Sequence, residues 1–397
     1  MNKWSLFFAK KKEDNFFSSL LIVYIYVPII WGIVNSTTAI SFIFVYLGYG
    51  TIIMLIFLNS SVIRKDVFIF LMAFLMILFF NYLVVSYRNY VLSEGLQAFV
   101  GISIPCLCVT HKAFDLDLFL FRWRKFAYFN FPLVLLSIAL ARMNILHYSF
   151  FSAFCVPNIF ILTFEFLSGK RKGIGHYLIA VTNILIIFFL GGRVDAIVSV
   201  CMLIFSVIYS NRMKKWKKII LLHILLISTF LIIVNYNDLL MWINDVLSKY
   251  GFFSRNISLL ISQQANKELY LTQRDVIYAL CIDYIKARMG LPGGFGVPLY
   301  LSSGSFYYAH NFILQFFIYF GIYGTIALLL AITVRLSSIK KRISKESAQL
   351  LWFMLGTYIL IGMFGSSVFI HYLSTIFIAL FFFGIKNFYI FQTEKEP

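Results

Sequence analysis

Apolar runs of membrane-crossing length recur along almost the whole chain, and they dictate what it can fold into. A helix needs about 20 mostly apolar residues to cross a bilayer, because only a segment that satisfies its own backbone polar groups tolerates hydrocarbon. Such runs fall at about 16–34, 38–58, 67–86, 95–110, 126–141, 149–167, 174–190, 194–210, 218–235, 309–334, 350–367 and 371–390. The expected fold is an all-α polytopic membrane protein of about twelve transmembrane helices. One long segment, 236–308, interrupts the series between the ninth and tenth helices. The expected organisation is nine helices over 1–235, an external loop over 236–308, and three helices over 309–397.

Composition agrees. Hydrophobic residues make up 61% and charged residues 13%, against about 45–50% and about 25% in ordinary globular domains. The net charge of +18 would fit a nucleic-acid partner, but Lys and Arg cluster in short breaks between apolar runs, leaving no soluble basic face. They set orientation instead. With the N-terminus inside, Arg64 and Lys65, Lys112 with Arg122 to Lys125, Lys170 to Lys172, Arg212 to Lys218 and Arg335 to Lys345 all fall on the cytoplasmic side. The short outer breaks keep only Arg88, Arg142 and Arg193. Both termini are therefore expected in the cytoplasm and the long loop outside. The first run, preceded by Lys10-Lys-Lys12, lacks a small-residue cleavage site and reads as an uncleaved helix.

Cys106, Cys108, Cys155 and Cys201 lie in apolar runs and Cys281 in the loop, with no His pair at metal-ligand spacing. No structural disulfide, metal or cofactor is expected. Acidic residues within runs are few, Glu165 and Asp195 among them, and they form no mid-membrane chain of the kind ion-coupled transporters use.

Four stretches could carry chemistry. Gly191-Gly-Arg193 sits in a very short outer break, where two glycines let the backbone approach a partner. Its guanidinium either snorkels to lipid phosphate, paired with Asp195, or binds phosphate oxygens of a substrate. In the loop, 236–247 has the spacing of an amphipathic surface helix, and 272–288 reads as a helix capped by Thr272. Arg274, at its start, would join the helix N-terminus in an anion site or form a surface salt bridge to Asp275 or Glu268. Gly290-Leu-Pro-Gly-Gly-Phe-Gly296 lacks the G-K-[ST] of a nucleotide-binding loop and reads as a tight helix-ending turn. His310, at the threshold of the tenth run, either caps the helix or exchanges a proton near neutrality. His147 and His371 also fall on the outer side and read as structural, while Gly321 and Gly324 read as close helix packing.

Taken in order, Arg193 after its glycines, Arg274-Asp-Val-Ile-Tyr-Ala-Leu, Gly290 to Gly296, and Ala309-His-Asn-Phe-Ile-Leu-Gln315 followed by Phe320-Gly-Ile-Tyr-Gly324 resemble the O-antigen polymerase and O-antigen ligase superfamily over about 185–330. The resemblance implies a multi-pass protein of the bacterial inner membrane acting on oligosaccharides linked to undecaprenyl pyrophosphate. It implies a metal-independent glycosyltransferase of the polymerase branch, with a chain-length regulator as a further partner. Arg193 and Arg274 would be catalytic and hold the pyrophosphate. His310 would be the base, with Arg288 and Asn311 binding substrate. Tyr278 stands where ligases often have tryptophan, and Phe320 where many members have glutamate. A ligase acting on lipid A core is the near alternative. A flippase is the distant one, and it is disfavoured by arginines at the outer mouth rather than within the bundle.

Overall fold

The computed structural model of the chain describes residues 16–29, 38–59, 63–112, 114–142, 148–168, 174–210, 214–216, 218–220, 223, 236–252, 254–266, 274–340, 343, 345–364 and 369–384. Among these the regular elements are all helical. They are α1 (Phe16–Tyr26), α2 (Thr38–Asn59), α3 (Lys65–Val84), α4 (Arg88–Thr110), α5 (Leu116–Arg142), α6 (Tyr148–Ser168), α7 (Ile174–Leu190) and α8 (Arg193–Tyr209). Then follow α9 (Tyr236–Lys249), α10 (Arg255–Asn266), α11 (Arg274–Ala287), α12 (Val297–Leu301), α13 (Phe312–Lys340), α14 (Lys345–Phe364) and α15 (Tyr372–Phe382). Most of the expected ninth span, His147, Thr272 and both chain ends lie outside the described residues.

Four of the described helices are long and apolar enough to cross a membrane: α3, α4, α6 over Phe150–Ser168, and α13 over Phe312–Ile339. Several shorter apolar helices accompany them, α1, α7 and α15 included. On α3, Phe68, Ile69, Met76, Ile77, Phe79 and Phe80 are exposed within the chain. Water would penalise such a face, whereas hydrocarbon tails are as apolar as the side chains.

Helix boundaries depart from the apolar runs where polar residues find partners. The fourth helix begins at Arg88 rather than at 95, and the fifth at Leu116 rather than at 126. Pro105 and Pro132 lie inside these two helices. A hydropathy window stops at Glu94 or Arg124, but the backbone ladder does not, because both side chains are buried against polar groups.

The chain forms two compact units. The first comprises Met1–Ile25, Gly48–Arg122 and Leu271–Pro397. Here α3, α12 and α15 pack on α4, α14 packs on α13 and α15, and α11 packs on α12 and α13. Tyr24 ties this core, donating to the Gly101 carbonyl at 2.9 Å and hydrogen-bonding the Thr375 hydroxyl at 2.7 Å. The second unit comprises Tyr26–Leu47 and Trp123–Tyr270. There α6 packs on α7 and α8, α10 packs on α7, and α9 on α10. Its core holds Trp123 stacked on Phe160, and Arg124 paired with Glu165 at 2.6 Å. It also holds a carboxamide cluster: Asn158 Oδ1 accepts from Tyr26 at 2.7 Å and Asn130 at 3.1 Å, and its Nδ2 donates to Asn130 Oδ1 at 2.9 Å. The long loop is thus shared, α9 and α10 falling in the second unit, α11 and α12 in the first.

Candidate functional site

The second half of the loop enters the first unit by breaking a helix. α13 departs from helical geometry at Gly321, with φ 71° and ψ 174°, a conformation open essentially to glycine alone. The break frees backbone groups that lipid cannot satisfy. The glycine-rich turn satisfies them. Gly293 and Gly294 N–H both donate to the Ile318 carbonyl, at 2.7 and 3.1 Å, and Ile322 N–H donates to the Gly290 carbonyl at 2.9 Å. Asn81 and Tyr87 hold the turn from the other side: Tyr87 O–H donates to the Gly293 carbonyl at 2.8 Å, and Asn81 Oδ1 accepts from Phe295 N–H at 2.9 Å. The turn therefore does more than end α11. Gly321 does allow close packing, as its sequence context led us to expect, but against the turn rather than a neighbouring helix, and it is also the point where α13 opens.

Beneath the turn lies a carboxylate that the motifs did not flag. Glu94, in the second turn of α4, is 1% exposed. Its Oε2 accepts from Gly296 N–H at 2.6 Å. Its Oε1 accepts from the Tyr319 hydroxyl and, at 3.4 Å, from Gln315 Nε2, and Gln315 also donates to Tyr319. The apolar run starting at 95 left Glu94 outside the helix. Its only local signal was a carboxylate within one residue of a membrane run, and its partners lie some two hundred positions away. Phe320 packs against Phe316, Tyr319 and Phe369.

The candidate site residues of the first unit lie on α11 and at the entry to α13. His310 adopts a left-handed backbone, φ 53°. Its carbonyl accepts from the Tyr278 hydroxyl at 3.1 Å, and its half-buried imidazole lies 4.5 Å from the Tyr308 ring. Burial pushes the Tyr278 hydroxyl above its usual pKa while the neighbouring Arg274 charge pulls the other way, so Tyr278 stays a proton donor. Arg274 opens α11 one turn before Tyr278 and is half-buried. Among the described residues it makes no ion pair with Asp275, and Glu268 lies outside them. Asn311 is the N-cap of α13: its Oδ1 accepts from Ile313 N–H at 3.0 Å and Leu314 N–H at 3.2 Å. Its side-chain oxygen is thereby engaged in the helix. Arg288, exposed at the far end of α11, lies with its guanidinium 5.7 Å from the Tyr284 ring centroid. His371 caps α15, accepting from Leu373 N–H at 3.3 Å.

Arg193 belongs to the second unit, where it is the first residue of α8 and half-buried. Gly192 N–H donates to Ser152 Oγ at 2.9 Å. A Cβ on Gly192 would stand 2.7 Å from Asp195 Oδ2, so the carboxylate of α8's first turn folds back over this glycine. Thus Arg274, Tyr278 and His310 fall in one unit and Arg193 in the other. Among the described residues, no three His, Cys, Asp or Glu side chains converge as metal ligands.

Compared with models of protein families and with curated proteins, the chain gives no match.

Proposed function

We propose that the protein is an inner-membrane glycan polymerase. It transfers a growing O-antigen or similar polysaccharide from undecaprenyl pyrophosphate to a new lipid-linked repeat unit at the periplasmic face. The proposed scaffold has about twelve spans with both termini in the cytoplasm. The observation that carries the reading is the Tyr278 bridge: its hydroxyl holds the His310 carbonyl at 3.1 Å, one helical turn from Arg274. The bond ties the backbone at His310 to the helix that carries Arg274, which supports a proposed base and a proposed anion-binding cation acting on one lipid pyrophosphate donor.

The chemistry is a single displacement. The acceptor hydroxyl oxygen attacks the anomeric carbon of the donor. The bond from that carbon to the pyrophosphate oxygen breaks, and its electron pair leaves with undecaprenyl pyrophosphate. His310 takes the hydroxyl proton. Arg274, at the N-terminus of α11, offers donors to the developing negative charge, and the N–H groups of that helix end reinforce it. The leaving group is already activated, so no nucleotide sugar takes part.

Deletion followed by lipopolysaccharide electrophoresis tests the reading. Core bearing a single repeat unit supports a polymerase. Bare core with polymer accumulating on the carrier points to a ligase. Bare core with single units retained inside points to a flippase. Full-length polymer from Arg274→Ala or His310→Ala at equal expression would sink the residue roles.

A further inference from the structure

We propose that Glu94 is the positioning residue of this junction: its carboxylate holds the glycine-rich turn in the break of α13 and so fixes the segment that presents His310. Three elements meet at this one side chain. α4 carries it, the turn offers it Gly296 N–H at 2.6 Å, and α13 offers it Tyr319 and Gln315. A carboxylate only accepts, and here it faces three donors; among the described residues no cation pairs with it. The turn lies directly on the backbone of α4 at Gly296. A Cβ at Gly296 would stand 2.6 Å from Val91 N and 2.7 Å from the Tyr90 carbonyl carbon. Gln315 is one turn beyond Asn311, to whose carbonyl its own N–H donates at 2.9 Å, so the hold on Gln315 passes directly to the His310-Asn311 entry of α13. Cys281 of α11 is fully buried and lies close enough to Glu94 to feel its charge, so it reports on whether the junction is shut.

The test is the rate at which a maleimide labels Cys281 in full-length protein whose other four cysteines are replaced by serine or alanine. Glu94→Gln keeps the shape but turns one acceptor into a donor, so one of the three donors is left facing another. Labelling should rise at least about tenfold, since a lost hydrogen bond to a charged group shifts local opening by that order. The exchange pair Glu94→Gln with Gln315→Glu keeps one carboxylate and one carboxamide and should return labelling to within about threefold of the starting protein. An ordinary packing role would not be rescued by that exchange. If Glu94→Gln is not monodisperse, Tyr319→Phe removes one donor and keeps the carboxylate, and it should still speed labelling. Labelling of either variant at the starting rate, or no rescue by the exchange, overturns the proposal. The link to His310 rests on the glycan reading and is read separately, as polymer length in cells. Normal polymer in Glu94→Gln where His310→Ala abolishes it overturns that link, whereas a silent His310→Ala overturns the glycan reading itself.

Discussion

Gly321→Ala should dislodge the glycine-rich turn from α13. The glycine sits at φ 71° and ψ 174°, and an added Cβ would stand 2.7 Å from the Gly290 carbonyl oxygen, 2.9 Å from Pro292 N and 3.0 Å from Pro292 Cδ. Two of those atoms are backbone of the inserted turn, so nothing can give way by a rotamer change. Holding a non-glycine residue in this conformation costs about 1–3 kcal/mol. The alternative is for α13 to straighten, which forfeits the three hydrogen bonds linking Ile318 and Ile322 to the turn. Each is worth about 0.5–1.5 kcal/mol net, and more if its groups stay buried without partners. Whichever route is cheaper, the expected loss is about 2–4 kcal/mol. Equilibrium unfolding in mixed micelles measures it, and Cys281 labelling reports the local component. Gly356→Ala is the control, since nothing lies within 4 Å of its added Cβ in α14, and it should gain up to about 1 kcal/mol from helix propensity. If Gly321→Ala unfolds like Gly356→Ala and leaves Cys281 shielded, the inserted-turn account is wrong.

Other expectations follow from single contacts. Arg124→Ala should destabilise the second unit by about 3–5 kcal/mol, because it leaves the buried Glu165 carboxylate without the cation 2.6 Å away, and Arg124→Met with Glu165→Leu should recover most of that loss in the same assay. Asn158→Leu removes the centre of the carboxamide cluster and should cost about 1–2 kcal/mol, whereas the same change at exposed Ser262 should be silent. The Cys281 thiol is pushed up to about 12, chiefly by burial, with the Glu94 charge adding to it. An unfolded thiol ionises near about 8.5. The stability this group contributes is therefore whole below that pH and falls as pH rises toward 12. If labelling proceeds through opening of the junction, its rate should level off as pH passes about 8.5, where the opened thiol is already ionised; a rate that keeps rising in proportion to hydroxide from about pH 9 to about 10.5 with no change in fold would refute this. Tyr278→Phe removes the donor to the His310 carbonyl and should shorten or abolish polymer at normal protein level if that bridge builds the site.

How far the sequence could be read follows from where each residue's partners lie. Apolar runs announce helices because lipid leaves the backbone no other partner, and α3 and α6 stand close to where hydropathy put them. The helix of 274–287 was legible for the same local reason, its apolar residues sharing one face. Arg274 and His310 were singled out because each lies at an expected helix start; Arg274 is the first residue of α11, whereas His310 stands one residue ahead of Asn311, the N-cap of α13. Asn311 shows the limit of that signal. It was a binding candidate by resemblance alone, and its side-chain oxygen serves as the N-cap of α13. Glu94 and Gly321 were not legible at all. A buried carboxylate and a broken helix are each unfavourable taken alone, and the turn from Gly290 to Gly296 helps to offset both at once: Gly296 N–H joins Tyr319 and Gln315 in donating to Glu94, and Gly293 with Gly294 N–H donate to Ile318. Viewed along the chain they are three unrelated oddities, a charge at a membrane run, a glycine in a helix and a turn rich in glycine. They make sense only together, because the turn supplies hydrogen-bond partners that the carboxylate and the broken helix would otherwise lack.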